Sequence, residues 1–209
     1  MARQPSRFDR KKSILKPQPL VLVLCEDTKS SLSYLKEAAH HFRAYAEVDF
    51  AHCGKNDPLN IVKEAVMRQP NFDAVYCVID RDQHETFDAA LALAAANSGK
   101  IVVIASYPCY EYWLLLHFKK SQKSYVSVGN KSSCDLLVQD LRKKEGMNNY
   151  AKGASKNLFD ALIGKLPNAR QWAAEVLTAA INVDALNPST RLHGLIERFE
   201  QLGTPQPVA

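Results

Sequence analysis

Two carboxylates one residue apart, Asp80 and Asp82, close the run Asp73-Ala-Val-Tyr-Cys-Val-Ile-Asp80-Arg81-Asp82. A third acid, Glu26, follows a second apolar run, Leu20-Val-Leu-Val-Leu-Cys25, and is itself followed by Asp27. Carboxylates held close together repel one another, so at least one takes up a proton unless a cation compensates. A hard divalent ion is the simplest compensation. Mg²⁺ prefers oxygen ligands, keeps several waters and is commonly shared between one or two carboxylates and substrate phosphates. An ion held that way polarises a phosphodiester, activates a nucleophile and neutralises the leaving oxygen. In this chemistry Asp80 and Asp82 hold Mg²⁺ (or Mn²⁺), Glu26 is the general acid or base or an additional ligand, and Lys29 and Arg81 contact phosphate. The same residues also have plainer roles open to them: Asp82 capping the following helix, Asp27 capping its own, and Asp80 simply ending a strand.

Which role applies depends on the elements that position these groups. The short β-branched run before Asp80 reads as a strand buried on both faces, as inside a parallel sheet. Along the chain, a strand over 20–25 leads to a helix over about 28–43, with Thr28 or Asp27 as its cap. An alternating, half-exposed edge strand covers 46–51. Asp57-Pro58 then caps and opens a helix that ends before Pro70. The third strand is 73–79. Asp82-Gln-His-Glu85 has capping-box spacing for a helix over about 83–97, and 101–105 is a fourth strand. The alternation β-α-β-α-β-α-β with short connections requires, through right-handed crossovers, a parallel sheet with helices on both faces. Ligands of such sheets sit at the carboxyl ends of the strands. If the first and third strands are neighbours, Glu26, Asp80 and Asp82 share one rim.

From residue 106 the character changes. Ser106-Tyr-Pro-Cys-Tyr-Glu111-Tyr-Trp-Leu-Leu-Leu-His117-Phe118 reads as a buried helix begun by Pro108. Residues 119–132 form a polar, Lys-rich loop, and helical patterns follow over about 133–145, 155–165, 168–182 and 189–202, with no strand signal. Ser189 or Thr190 can cap the last of these. Glu111 is either a fourth carboxylate of the site or a first-turn acid favoured by the helix dipole; a carboxylate on so apolar a helix needs a partner, which favours the site. His117, six positions on, faces elsewhere on the helix and reads as a hydrogen-bonded core histidine. Cys109 near a helix N-terminus would be a nucleophile if its pKa were lowered, but no histidine is placed by the sequence to serve it.

Charge and cysteine usage narrow the class. Of the formal +5, all resides in residues 1–19, where Arg3, Arg7, Arg10, Lys11, Lys12 and Lys16 face Asp9 alone. Such an arm neutralises phosphates of a nucleic acid, Arg7, Arg10, Lys11 and Lys12 foremost, or only aids solubility. The five cysteines are scattered, with no C-x-x-C pair, as in a cytoplasmic protein with reduced thiols. His40-His41 and His52-Cys53 are adjacent pairs, unlike zinc-ligand spacing. No apolar stretch reaches a membrane span and no secretory signal opens the chain, so no membrane partner is expected.

Glu26 after the first strand with Asp80-x-Asp82 after the third is similar to the Toprim signature. More specifically, Val21–Leu35, Val78–Asp82, the segment Tyr107-Pro-Cys-Tyr-Glu111-Tyr-Trp-Leu-Leu-Leu-His117-Phe118 and Asn187-Pro-Ser-Thr190 together resemble the RloB-like family over about residues 20–200. The Pro-Cys-aromatic-Glu-x-Trp-x-x-x-His part is the most specific. The resemblance implies a Toprim-like α/β core, a parallel sheet of about four strands flanked by helices, with a C-terminal helical lobe. It implies Mg²⁺-dependent phosphodiester cleavage by Glu26, Asp80 and Asp82, with Glu111 and His117 as the family's second motif. It also implies bacterial or archaeal origin and a place in anti-phage defence, often beside an ATPase of the AAA/ABC type. Analogy with related Toprim effectors favours RNA, tRNA included, over DNA. This chain departs from the family in having Glu26-Asp27 where Glu-Gly is common, and Ser106-Tyr107-Pro108 where Ser-Asn-Pro is usual.

The expected organisation is a basic arm (1–19), an α/β core (20–106) and a helical lobe packed on it (107–209), with a homo-oligomer compatible with the sequence. Two other functions stay open. One is a non-catalytic nucleic-acid or nucleotide-sensing subunit that regulates a partner ATPase. The other is a phosphotransferase using the first Asp of D-x-D as nucleophile, a chemistry that usually places the motif after the first strand and not the third.

Overall fold

The computed structural model describes residues 17–27, 29–44, 47–51, 57–82, 84–153 and 157–204. Strands β1 (Val21–Cys25), β2 (Val48–Ala51), β3 (Ala74–Asp80) and β4 (Ile101–Tyr107) form a sheet with a fifth, two-residue strand β5 (Ser189–Thr190), in the order β2-β1-β3-β4-β5. The first four pair in parallel; only β5 runs antiparallel, against β4. β1 lies between β2 and β3, with Cys25 opposite Val78. The adjacency on which the acidic rim depends is therefore present.

Burial explains the order. Every residue of β1 is buried, so it takes an interior position, whereas β2 hides Val48 and leaves Asp49 exposed, as an edge strand does. Alternate residues divide between two cores. Leu22, Leu24, Val75, Cys77 and Ile79 pack with helices α2 (Pro58–Arg68) and α3 (Phe87–Ala96). Val21, Val23, Cys25, Val78 and Ile104 face the other way. That second face is covered by α1 (Ser31–His41) together with the C-terminal helices α4 (Glu111–Leu116), α5 (Ser133–Arg142), α6 (Leu158–Leu162), α7 (Leu166–Asn182) and α8 (Leu192–Leu202). The mixed α/β arrangement, a mostly parallel sheet flanked by helices, is the expected fold class.

Three local expectations are corrected. The capping box of Asp82 and Glu85 does not form: α3 begins at Phe87, with Thr86 at its cap position and no side-chain cap bond. Instead the chain after β3 keeps running beside the end of β4 and the residue that follows it, Arg81 N donating to Ser106 O (2.9 Å) and Asp82 N to Pro108 O (2.9 Å), so the turn into α3 comes later. The helix opened by Pro108 starts at Glu111, because Pro108 spends its carbonyl on Asp82 and residues 109–113 tighten through Tyr112 N to Cys109 O and Trp113 N to Tyr110 O. Finally, the C-terminal half does contain a strand, β5, too short to leave a hydropathy pattern. Thr190 of β5 also accepts from Leu192 N (3.3 Å) at the start of α8, where Arg191 occupies the cap position.

Asp57 caps α2 as its spacing predicts, accepting from Asn60 N (3.1 Å). Cys25, Cys77, Cys109 and Cys134 are buried; Cys53 lies outside the described residues, as do Thr28 and the basic arm through Lys16. Among the described residues, no helix is long and apolar enough to cross a membrane.

Candidate active site

β1 delivers Glu26. Its amide donates to Val78 O (3.1 Å), which keeps the chain alongside β3 for one residue beyond the strand. The carboxylate then turns toward β3: Oε2 accepts from Asp80 N (3.0 Å) and Oε1 lies 2.8 Å from His84 Nε2. Burial raises the Glu26 pKa, and the Asp80 amide and His84 only partly offset this. Asp27, by contrast, spends its oxygens on the amides of Lys29 (2.9 Å), Ser30 and Ser31 (3.2 Å), and so caps the approach to α1.

Asp80 is the last residue of β3 and shares its face with Val78, the face that α4 covers. Burial pushes its pKa well above the usual carboxylate range; the charges of Glu26 and Glu111 add to this, against the amide of Tyr110 and the ammonium of Lys152. Asp82 follows a sharp turn with φ +27°, a region that aspartate tolerates better than most residues. Its Oδ1 is buried and has no hydrogen-bond partner among the described residues.

α4 supplies Glu111, only 2% exposed at the head of an apolar helix. Such burial demands partners, and the segment after α5 provides them: Tyr150 donates its hydroxyl to Oε1 (3.0 Å), and Lys152 Nζ stands 3.6 Å from Oε2. These residues line a cavity of about 230 Å³, walled by Glu26, Asp27, Asp80, Asp82 and Glu111 with Tyr110 and Lys152. Carboxylates from the ends of β1 and β3 and the start of α4 thus share a pocket whose lining, among the described residues, carries one cation, Lys152.

The donor set is all oxygen, its charge is in excess, and one buried oxygen, Asp82 Oδ1, has no partner among the described residues. Those features suit a hard divalent cation. Among the described residues, however, no group of three or more His, Cys, Asp or Glu is drawn together tightly enough to hold an ion as placed. The oxygens of Glu26 are instead engaged with the Asp80 amide and His84, and those of Glu111 with Tyr150 and Lys152.

The other expected site residues fall in different places. Lys29, at the approach to α1, is exposed and lies against Gly153, beside Lys152. Arg81 turns away from the cavity: Nη1 donates to His84 O (2.9 Å), and the guanidinium sits over the Phe87 ring at 5.2 Å. His117 is buried apart from the acids. Its Nδ1 donates to Trp113 O (3.0 Å), which leaves Nε2 to accept from the Tyr34 hydroxyl (3.2 Å), and burial holds its pKa down at about 4. It is a neutral core histidine. Cys109 is buried and its thiol pushed well up, principally by burial, the reverse of an activated nucleophile. Arg7, Arg10, Lys11 and Lys12 lie outside the described residues.

Sequence reasoning missed His84, Tyr110, Tyr150 and Lys152. His84 was hidden inside an apparent capping box; an imidazole two residues beyond D-x-D was the available signal. Lys152 stands in a polar segment forty-one positions after Glu111, and nothing local marks it.

No curated protein and no solved structure matches the chain. The family described as RloB-like protein matches over residues 21–199, spanning every strand and all but the last residues of α8, and the chain belongs to the RloB-like protein family.

Proposed function

We propose that this protein is a divalent-metal-dependent nuclease of the Toprim type, hydrolysing phosphodiester bonds in nucleic acid. The observation that carries this reading is the convergence of Glu26, Asp80, Asp82 and Glu111, from three separate elements, on one cavity of about 230 Å³. Asp80 and Asp82 would hold Mg²⁺ or Mn²⁺, with Glu26 or Glu111 completing the set. The ion, when bound, would supply charge neutralisation at the phosphate and activation of a water. Glu26, whose pKa is raised by burial and which His84 and the Asp80 amide hold in one orientation, is the group suited to take and return a proton. The β-strand ends fix the acids rigidly, which an electrostatic site requires. Resemblance to the RloB-like family suggests a role in anti-phage defence and action beside an AAA/ABC-type ATPase, and analogy with related Toprim effectors favours RNA, tRNA included, over DNA.

The test is cleavage of end-labelled tRNA, single-stranded RNA and duplex DNA with Mg²⁺, with Mn²⁺ and with EDTA. Metal-dependent cleavage is expected, falling by about 10²-fold or more in Asp80→Asn, Asp82→Asn and Glu26→Gln with folding intact. Cleavage that persists in EDTA, or survives in Asp80→Asn, overturns the reading.

A further inference from the structure

We propose that Lys152, with Lys29 beside it, is the phosphate-binding element of this pocket. The inference rests on the phosphodiester reading and names the part of the site that grips the substrate anion. Lys152 lies in the pocket wall, its side chain 54% exposed, so an incoming ligand reaches it. Its 3.6 Å separation from Glu111 Oε2 is an ion pair and not a hydrogen bond. The ammonium therefore keeps donors for a phosphate oxygen. A lysine ammonium with its ordinary pKa is cationic throughout the physiological range.

The segment carrying Lys152 is anchored on both sides, as a residue that must meet a substrate requires. Arg142 Nε donates to Tyr150 O (2.8 Å), the Tyr150 hydroxyl holds Glu111, and Gly153 N donates to Ser30 Oγ (2.8 Å). Gly153 has φ +76°, and a Cβ there would come within 2.6 Å of the Lys29 side chain. That close approach sets the Lys29 side chain against the backbone that carries Lys152. Tyr110, which lines the same cavity and is 3% exposed, has a buried hydroxyl with no hydrogen-bond partner among the described residues.

The experiment separates metal binding, substrate binding and cleavage. Mn²⁺ alone is titrated calorimetrically into wild type, Lys152→Gln and Lys152→Arg. A fluorescent single-stranded oligonucleotide is then titrated in Ca²⁺ over a range of salt concentrations, and turnover is measured in Mg²⁺. Lys152→Gln is expected to keep its melting temperature and to bind Mn²⁺ as tightly as wild type or more so, because a repelling charge is gone. It should bind the oligonucleotide about tenfold more weakly, with the salt slope reduced by about 0.7–1, the signature of one lost phosphate contact. Lys152→Arg should restore the slope. An unchanged slope in Lys152→Gln overturns the proposal, as does loss of Mn²⁺ binding or of the fold, which would make Lys152 a structural partner of Glu111. If wild type binds in Ca²⁺ yet cleaves nothing in Mg²⁺, the nuclease reading fails while the slope still decides the role of Lys152.

Discussion

Asp80 shows what the site costs the folded chain. Its carboxyl is pushed well above the usual range by burial and by the charges of Glu26 and Glu111. Below the unfolded-chain pKa the group is protonated in both states and nothing is lost. As pH rises, the unfolded chain ionises first, and stability drains away until the folded pKa is reached. Near neutral pH without metal, Asp80 therefore weakens the fold, as does Glu26, whose pKa shifts in the same direction. Asp80→Asn keeps an oxygen for the Tyr110 amide and removes the charge. In EDTA at pH 7.5 it should melt above wild type, by about 2–4 °C for each kcal/mol relieved, and the two curves should converge toward pH 4. Mg²⁺ should raise the melting temperature of wild type and leave Asp80→Asn unmoved. A variant less stable than wild type at pH 7.5 in EDTA would show that Asp80 is stabilised in place by its neighbours and not strained by them.

At the scale of elements, α1 does more than cover the sheet. Ser30, just before it, accepts from Gly153 N (2.8 Å), and Glu37 within it accepts from Asn157 N (3.0 Å) and Phe159 N (2.8 Å). Asn157 sits at φ +56° at the cap of α6 with no cap bond of its own, so Glu37 serves as a cap supplied from another helix. Glu37→Ala should cost about 0.5–2 kcal/mol and speed hydrogen exchange at the amides of Asn157 and Phe159, with Glu37→Gln intermediate. Unchanged exchange at both amides would remove α1 as the anchor. This long-range capping also explains what could be read from the chain and what could not. β1 and β3 announce themselves because strands buried on both faces are continuous apolar runs, and their ends place Glu26, Asp80 and Asp82 once the strands are known to adjoin. His84 and Lys152 reach the site through tertiary contacts that leave no periodicity. β5 is two residues long and gains its identity only from pairing with Ser106 and Tyr107. Asp82 misleads because a D-x-x-E spacing serves a helix cap and a strand-end site alike, and only the bond from its amide to Pro108 O decides between them.

For the whole molecule, the sheet face behind the acids is the decisive feature. Val21, Val23, Val78 and Ile104 look away from α2 and α3 into a core shared by α1 and every C-terminal helix. β5 fastens the same C-terminal region to the sheet edge, Thr190 Oγ1 lying 3.0 Å from Ser106 Oγ. The groups lining the pocket span this junction too, with Glu26, Asp80 and Asp82 from strand ends and Glu111 and Lys152 from beyond residue 110. A fragment ending after β4, residues 17–107, would keep α1 but lose the C-terminal helices, uncovering much of the surface of Val21, Val23, Val78, Ile104, Tyr34 and Leu35, all buried in the full chain. At about 1.5–3 kcal/mol for each large apolar side chain, that exposure matches or exceeds the roughly 5–15 kcal/mol by which a typical domain is stable. The fragment should therefore show no cooperative thermal transition and should bind apolar dyes, whereas the full chain should unfold in a single transition by circular dichroism and calorimetry alike. Two separated transitions in the full chain, or a cooperative melt of the fragment, would mean that the sheet stands without its C-terminal cover, and that the pocket's acids and its lysine belong to units able to fold apart.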